Sequence, residues 1–113
     1  MLVRINDFCK KHGVNKRSVD YWTNIGILHP EVNPNNGYRD YGARAEDDMQ
    51  RIKLTRILNN GRVTKEDVEA LEYYSSREWR DKVKGQIYNA YRESNDLFSS
   101  LMDYINDKIE RLN

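Results

Sequence analysis

The 113-residue sequence lacks the features that mark disulfide-rich, metal-binding, membrane and secreted proteins. Its single cysteine, Cys9, argues against a disulfide framework and against thiolate metal or iron-sulfur chemistry. It has no apolar run of membrane-spanning length, and nothing at its start resembles a cleavable signal. We therefore expect a cytoplasmic protein with no membrane partner, in which Cys9 is a small buried residue of the first helix.

The sequence also lacks a large excess of either charge, because its net charge is only +1. That value would normally argue against a nucleic-acid binder. The charge is unevenly distributed, however. Residues 1–62 carry 11 Lys and Arg against 7 Asp and Glu, giving +4, whereas residues 63–113 carry 8 against 11, giving −3. The positive charge therefore lies in the amino-terminal part, and the remainder is acidic.

Catalytic patterns are missing too. The chain has no glycine-rich phosphate loop, no Ser/His/Asp order, no paired catalytic carboxylates and no metal-ligand spacing around its two histidines. We predict no enzymatic activity, no cofactor and no metal site.

Residues 5–41 carry the pattern of a short helix, a three-residue turn, a second helix and a hairpin. Gly13 can end the first helix in the left-handed conformation, and Asn15 can cap the second. With that cap, Val19, Trp22 and Ile25 face inward. The outward residues of the second helix lie in its first two turns, where a recognition helix meets base edges. They are Lys16, Arg17, Asp20, Tyr21 and Asn24.

The hairpin after the second helix would form a wing. Residues 27–29 are predicted to form a strand that Pro30 closes, and Asn36 with Gly37 would supply the positive backbone dihedrals of a tight turn. The returning strand offers groups that donate to phosphate oxygens, on Tyr38, Arg39 and Tyr41. The alternative is that both tyrosines pack within the hairpin and that the arginine is a solvated charge.

This ordered pattern resembles the DNA-binding domain of the MerR family of bacterial transcription regulators, over roughly residues 3–71. The positions that carry the resemblance are Ile5, Phe8, Cys9, Gly13, Val14, Val19, Tyr21, residues 26–28 and 36–41, Ile52, Ile57, Gly61, Thr64, Val68 and Leu71. The resemblance implies that Tyr21, Arg39 and Tyr41 contact the DNA backbone. It also implies that Lys16 and Arg17 read bases or position the protein in the groove.

One position departs from the family pattern. The family usually carries an arginine followed by two tyrosines on the recognition helix, where this chain has Asp20, Tyr21 and Trp22. An aspartate near a duplex repels phosphate unless it accepts a hydrogen bond from a cytosine amino group or orients a neighbouring arginine. We expect Asp20 to alter the operator preference or to weaken binding.

The pattern of the carboxyl-terminal part of the sequence predicts a second structural region. Ser75 and Glu78 form a capping box, and no proline interrupts the chain afterwards. About 37 helical residues at about 1.5 Å each would make a rod of about 55 Å, longer than the small domain covers. We therefore predict a winged helix-turn-helix DNA-binding domain at residues 1–72 and a dimerisation helix at residues 75–113.

An apolar stripe along this helix would be the dimer interface. Its predicted members are Val83, Ile87, Ala90, Tyr91, Leu97, Phe98, Leu101, Tyr104 and Ile105. The resemblance to MerR regulators implies that two such helices pair as an antiparallel coiled coil. The alternative is an amphipathic helix that folds back on its own domain.

These observations predict a mainly α fold, a MerR-like winged helix-turn-helix with a small β-hairpin wing and a long C-terminal coiled-coil helix. The expected function is a homodimeric, sequence-specific transcription regulator that binds double-stranded DNA at a palindromic operator and distorts promoter DNA. RNA polymerase is a further expected partner, and no inducer is identifiable. Two alternatives remain open. One is an architectural DNA-binding protein, such as a recombination accessory or chromosome-organising factor, and the other is a helical interaction module that has lost DNA binding.

Overall fold

The computed structural model describes residues 2–71 and 76–112, and there the chain is mainly helical with one small hairpin. The elements in chain order are α1 Ile5–His12, α2 Lys16–Asn24, β1 Glu31–Val32, β2 Arg39–Asp40, α3 Ala43–Leu58, α4 Lys65–Ala70, α5 Arg77–Ala90 and α6 Asn95–Leu112. The predicted fold class, mainly α with a small β-hairpin wing, is confirmed. The chain divides into two compact units, Met1–Met49 and Gln50–Asn113, with the division inside α3. The domain boundaries proposed from the sequence stay a prediction.

The turn between α1 and α2 follows the capping signals in the sequence. Gly13 has a φ of 65°, the left-handed conformation that ends α1. The side chain of Asn15 accepts a hydrogen bond of 2.7 Å from the backbone N–H of Ser18. Val19 and Trp22 are buried, as the helical spacing predicts. Capping and burial together fix which face of α2 is left outside.

The wing begins later than predicted. The strand expected at residues 27–29 is wrong, because β1 starts only after Pro30. The backbone N–H of His29 donates to Asp48 Oδ2 at 2.8 Å, and the ring Nδ1 lies 3.0 Å from the same oxygen. A backbone donor that is bonded to a buried carboxylate does not serve a strand ladder.

The hairpin itself is a short antiparallel pair in which Val32 lies opposite Arg39. Gly37 has the predicted positive φ, 72°, but Asn36 does not. The Asn36 side chain instead accepts a hydrogen bond of 2.9 Å from the backbone N–H of Tyr38, which is an Asx turn. The asparagine therefore stabilises the turn through its side chain rather than through its backbone.

The base of the wing is bound to the amino-terminal segment. The backbone N–H of Val3 donates to Asp40 Oδ1 at 2.7 Å, and the N–H of Tyr41 donates to the Val3 carbonyl at 2.9 Å. At the other end of α1, His12 Nε2 lies 3.0 Å from a carboxylate oxygen of Glu46 in α3. These bonds hold the wing, α1 and the start of α3 in one arrangement within the first unit.

The second unit departs from the sequence-based expectation. A single helix over residues 75–112 is wrong, because two helices, α5 and α6, are separated by residues 91–94. The Ser94 hydroxyl accepts a hydrogen bond of 3.3 Å from the backbone N–H of Leu97, and the N–H of Ser94 donates to the Tyr91 carbonyl at 2.9 Å. A serine cap of this kind starts a new helix without any proline.

The start of α5 also differs from the prediction. The expected cap, Ser75, lies outside the described residues. The cap that the structure shows is Ser76, whose hydroxyl accepts a hydrogen bond of 3.1 Å from the backbone N–H of Trp79.

Helices α5 and α6 pack against each other as an antiparallel hairpin, in which the Arg80 guanidinium donates to Asn106 Oδ1 at 3.0 Å. Most of the apolar stripe is thereby packed within one chain. Its core is formed by Leu54, Leu71, Val83, Ile87, Leu101, Met102, Ile105 and Ile109. Beside this core the Lys108 ammonium donates a hydrogen bond of 2.6 Å to the Leu71 carbonyl.

Four residues of the predicted dimer interface therefore lie in the core of the protomer. They are Val83, Ile87, Leu101 and Ile105. Three more pack against this core while partly exposed: Tyr91, Phe98 and Tyr104. Leu97 is half-buried and Ala90 is exposed. As contacts between two copies, these residues stay a prediction.

Within residues 2–71 and 76–112, no helix combines the length and apolar character that crossing a bilayer requires.

Candidate nucleic-acid interface

The outer face of α2 presents polar and aromatic side chains near its amino-terminal end. Lys16 and Arg17 are exposed at the first two positions of the helix, and the Tyr21 side chain is 55% exposed. The opposite face is sealed by Val19 and Trp22. Helix α2 therefore offers two cations and a phenol hydroxyl in its first turns, the part of a recognition helix that approaches base edges.

The wing adds a second group of exposed side chains. Tyr38 is 56% exposed, and the neighbouring Arg39 is also exposed. The guanidinium of Arg4, the residue that precedes α1, lies 5.6 Å from the centre of the Tyr38 ring, within cation–π range. Arg4 is not among the residues predicted from the sequence. Its only sequence signal is a basic residue at the start of α1, and nothing local links that position to the wing.

Recognition helix and wing meet at an ion pair. Arg39 Nη1 lies 3.7 Å from Asp20 Oδ1, and the two side chains are 42% and 44% exposed. A pair this accessible to water contributes at most about 0.2–1 kcal/mol. Its interest is geometric, because it joins a residue of β2 to a residue of α2.

Between α2, the wing and the start of α1 lies an open groove of about 380 Å³. The charged side chains that line it are Arg4, Lys16, Asp20 and Arg39. Three cations and one carboxylate leave a local charge of +2, larger than the charge of the whole chain. Arg17 and Tyr21 are exposed on the same helix but do not line the groove.

Tyr41 borders the groove but is almost completely buried. Its side chain is 1% exposed, and its ring stacks on Phe8. This burial favours the packing alternative for Tyr41, and its expected contact with the DNA backbone stays a prediction. The physical reason for the burial is the register of Tyr41: Asp40 and Tyr41 are both bonded to Val3, which draws the end of the wing inward.

Two charged residues that line the groove, Asp20 and Lys16, act on the thiol of Cys9. The thiol is partly buried rather than sealed in the core. Burial raises its pKa above the ordinary value, the charge of Asp20 raises it further, and the charge of Lys16 opposes this rise. The thiol is thus held in its neutral form at physiological pH.

The described residues offer no group of three His, Cys, Asp or Glu side chains that would hold a metal ion. The chemistry available at this surface is instead that of hydrogen-bond donors and positive charge, which matches phosphate oxygens and base edges. Of the seven residues proposed from the sequence, five line one groove: Lys16, Asp20, Tyr38, Arg39 and the buried Tyr41. The other two, Arg17 and Tyr21, are exposed on α2 outside the groove.

Comparison with known proteins agrees with this geometry. The family model described as MerR HTH family regulatory protein matches residues 3–75. No significant match is found among curated proteins or among solved structures. The matched segment contains α1, α2, the wing, α3 and α4, and covers more than half of the chain. The chain therefore belongs to the MerR HTH family of regulatory proteins, which are DNA-binding transcription regulators rather than enzymes.

Proposed function

We propose that the chain acts as a homodimer that reads a palindromic operator in promoter DNA and distorts it. The observation that carries this proposal is the convergence of Arg4, Lys16 and Arg39, from three separate parts of the chain, on one groove beside the exposed first turns of α2. Convergent cations on a helix and a wing suit a duplex whose backbone runs past both.

The cations of the groove would hold the DNA backbone while α2 enters the major groove. Lys16 and Arg39 would contact phosphate oxygens, and Arg39 is able to do so in the planar, two-pronged manner of a guanidinium. Tyr21 would donate its hydroxyl proton to a further phosphate, and Arg17 would face base edges. Tyr38 and Arg4 would contact the backbone beside the wing. The small excess of positive charge predicts few phosphate contacts per protomer.

Dimerisation is the second part of the proposal. A helix of nine residues reaches only a few base pairs, so an operator of useful specificity requires two copies related by a two-fold axis. The α5–α6 hairpin would provide the contact through apolar groups that remain outside its core. Tyr88 is 55% exposed and meets the ring of Phe98 edge-on, with centroids 5.9 Å apart. Exposed aromatic pairs of this kind are common at protein interfaces.

Distortion of the operator is the third part. Contacts to the backbone from both helix and wing allow a regulator to stabilise a bent or untwisted duplex, so that shape contributes to specificity. A promoter whose two polymerase elements are misaligned would be corrected in this way, which makes RNA polymerase the indirect partner.

Selection of genomic fragments bound by the intact protein tests the proposal. Fragments that share an inverted repeat, and a footprint over a promoter spacer, would support it. Cooperative protection of long, unrelated DNA would favour an architectural role instead. Sedimentation of the free protein tests the dimer: Tyr88→Glu should give monomers, whereas Gln86→Glu, an exposed change on the same helix, should not.

A further inference from the structure

Among the described residues that line the groove, Asp20 is the one acidic side chain, at a surface that is otherwise built to meet an anion. It lies there with Arg4, Lys16 and Arg39, and its carboxylate is 3.7 Å from the Arg39 guanidinium. In the free protein Asp20 therefore pairs with Arg39, and a DNA phosphate would have to compete with Asp20 for that guanidinium. Any duplex that binds at this surface must separate the pair or accept a carboxylate beside its own charge.

The ion pair is readily separated. Both partners are more than 40% exposed, and an ion pair in this environment is strongly screened by water and salt. Arg39 can turn to a phosphate at little cost. The carboxylate that it leaves behind is then the unfavourable element, because it remains close to the duplex without a partner.

The position of Asp20 decides what a new partner would be. It is the fifth residue of α2, directly before Tyr21 and one turn after Lys16. Residues in the first two turns of a recognition helix face base edges in the major groove. A carboxylate only accepts hydrogen bonds, and the donors in that groove are the amino groups of cytosine and adenine. On adenine the neighbouring N7 is an acceptor and repels a carboxylate, so cytosine is the better partner.

We infer that Asp20 is a specificity-determining residue: it pairs with Arg39 in the free protein and accepts a hydrogen bond from the N4 amino group of one cytosine in each operator half-site. Arg39 is then released to phosphate where that cytosine is present. Elsewhere the unpaired carboxylate opposes binding. This inference rests on the proposed function, since it requires α2 to lie in the major groove.

The substitution Asp20→Asn tests this assignment because it changes the hydrogen bonding and the charge without changing the size of the side chain. Asparagine pairs with the N6 and N7 atoms of adenine. In selections from randomised duplexes, the wild type should require cytosine at one position of each half-site, and Asp20→Asn should prefer adenine there. Replacing the cytosine should weaken wild-type binding roughly tenfold, and should leave Asp20→Ala binding almost unchanged.

Charge alone is controlled by Asp47→Asn, since Asp47 is an exposed residue of α3 in the same unit. Both variants lose one negative charge and should bind non-specific duplex more tightly, but only Asp20→Asn should change the base preference. If the wild type binds DNA but Asp20→Asn keeps the wild-type base preference, the role inferred for Asp20 is overturned and the proposed DNA-binding function is not. If the wild type binds no duplex in a salt-dependent manner, the DNA-binding function itself fails and this inference fails with it.

Discussion

The ring of Tyr41 stacks on the ring of Phe8, with centroids 5.0 Å apart and 30° between the ring planes. This contact joins the end of the wing to α1 and removes Tyr41 from the surface. The Tyr41 hydroxyl is buried and has no hydrogen-bond partner among the described residues. Two neighbouring tyrosines of the wing thus have different roles: Tyr38 is available to a duplex, and Tyr41 holds the wing in place.

Substitutions at Tyr41 should change stability and leave DNA affinity alone. Tyr41→Phe removes an unpaired hydroxyl and should raise the free energy of unfolding by about 1 kcal/mol. Tyr41→Ala should lower it by about 3–5 kcal/mol, because it removes a buried ring. Urea unfolding measures both. The matched change Tyr38→Ala should do the opposite, with little loss of stability and weaker DNA binding. A loss of DNA affinity in Tyr41→Phe would show that the Tyr41 hydroxyl contacts DNA after all.

Arg39→Ala should weaken binding to every duplex, whatever its sequence, because an arginine bound to phosphate reads no base. The slope of log affinity against log salt should become shallower by about 0.9 for each phosphate that the variant no longer neutralises. Titration by fluorescence anisotropy at several salt concentrations measures this. Arg44→Ala is the control, since Arg44 is exposed on α3 and does not line the groove. An equal effect of both substitutions would mean that only net charge matters.

Arg4→Ala should also reduce DNA affinity, although Arg4 is far from α2 in sequence. Its guanidinium lies over the Tyr38 ring and adds a positive charge at the groove. Removing a cation–π interaction at an exposed site costs only about 0.5–1 kcal/mol, so the variant should remain folded. Lys10→Ala, an exposed change on α1, supplies the comparison. If the two variants bind DNA equally well, Arg4 is not part of the interface.

Cys9 should react slowly with iodoacetamide at neutral pH. Its pKa is raised by burial and by the charge of Asp20, so the reactive thiolate is scarce below that pKa and increases as the pH rises through it. Asp20→Asn removes one of the two causes and should shift the rate profile to lower pH. Asp47→Asn should leave the profile where it is. Identical profiles for all three proteins would show that Asp20 does not act on the thiol.

Leu101→Asp should unfold the protomer rather than separate two folded copies. Leu101 is completely buried in the core of the α5–α6 hairpin, and an unpaired carboxylate there costs several kcal/mol. Circular dichroism and sedimentation measured together distinguish the outcomes. The neighbouring change Ser100→Asp lies on the exposed side of α6 and should be tolerated. A folded monomeric Leu101→Asp protein would place Leu101 at a subunit interface instead.

The helix-turn-helix was predictable from sequence because its determinants are local. Gly13 and Asn15 act on backbone groups within a few residues, and Val19 and Trp22 follow the period of a single helix. The helix ends and the buried face that these residues determine depend little on the rest of the chain. The same locality explains why Lys16, Arg17 and Tyr21 were placed correctly on the exposed face of α2.

The sequence-based predictions failed where contacts between residues distant in the sequence determine the structure. Burial of Tyr41 depends on Val3 and Phe8, which alternation along a strand does not reveal. The apolar stripe of the carboxyl-terminal part is equally well buried by a second chain or by its own other half. Ser94 decides between these by capping α6, and its signal was visible, since Asp96 follows in the first turn of that helix. The ion pair between Asp20 and Arg39 likewise required the fold to bring α2 beside the wing.

The salt dependence of DNA binding by the intact protein tests the central claim most directly. If Arg4, Lys16 and Arg39 form a surface for the DNA backbone, the log of the binding constant should fall linearly with the log of salt concentration, with a slope equivalent to several phosphates per dimer. Binding that is absent, or whose affinity does not change with salt, would contradict the account.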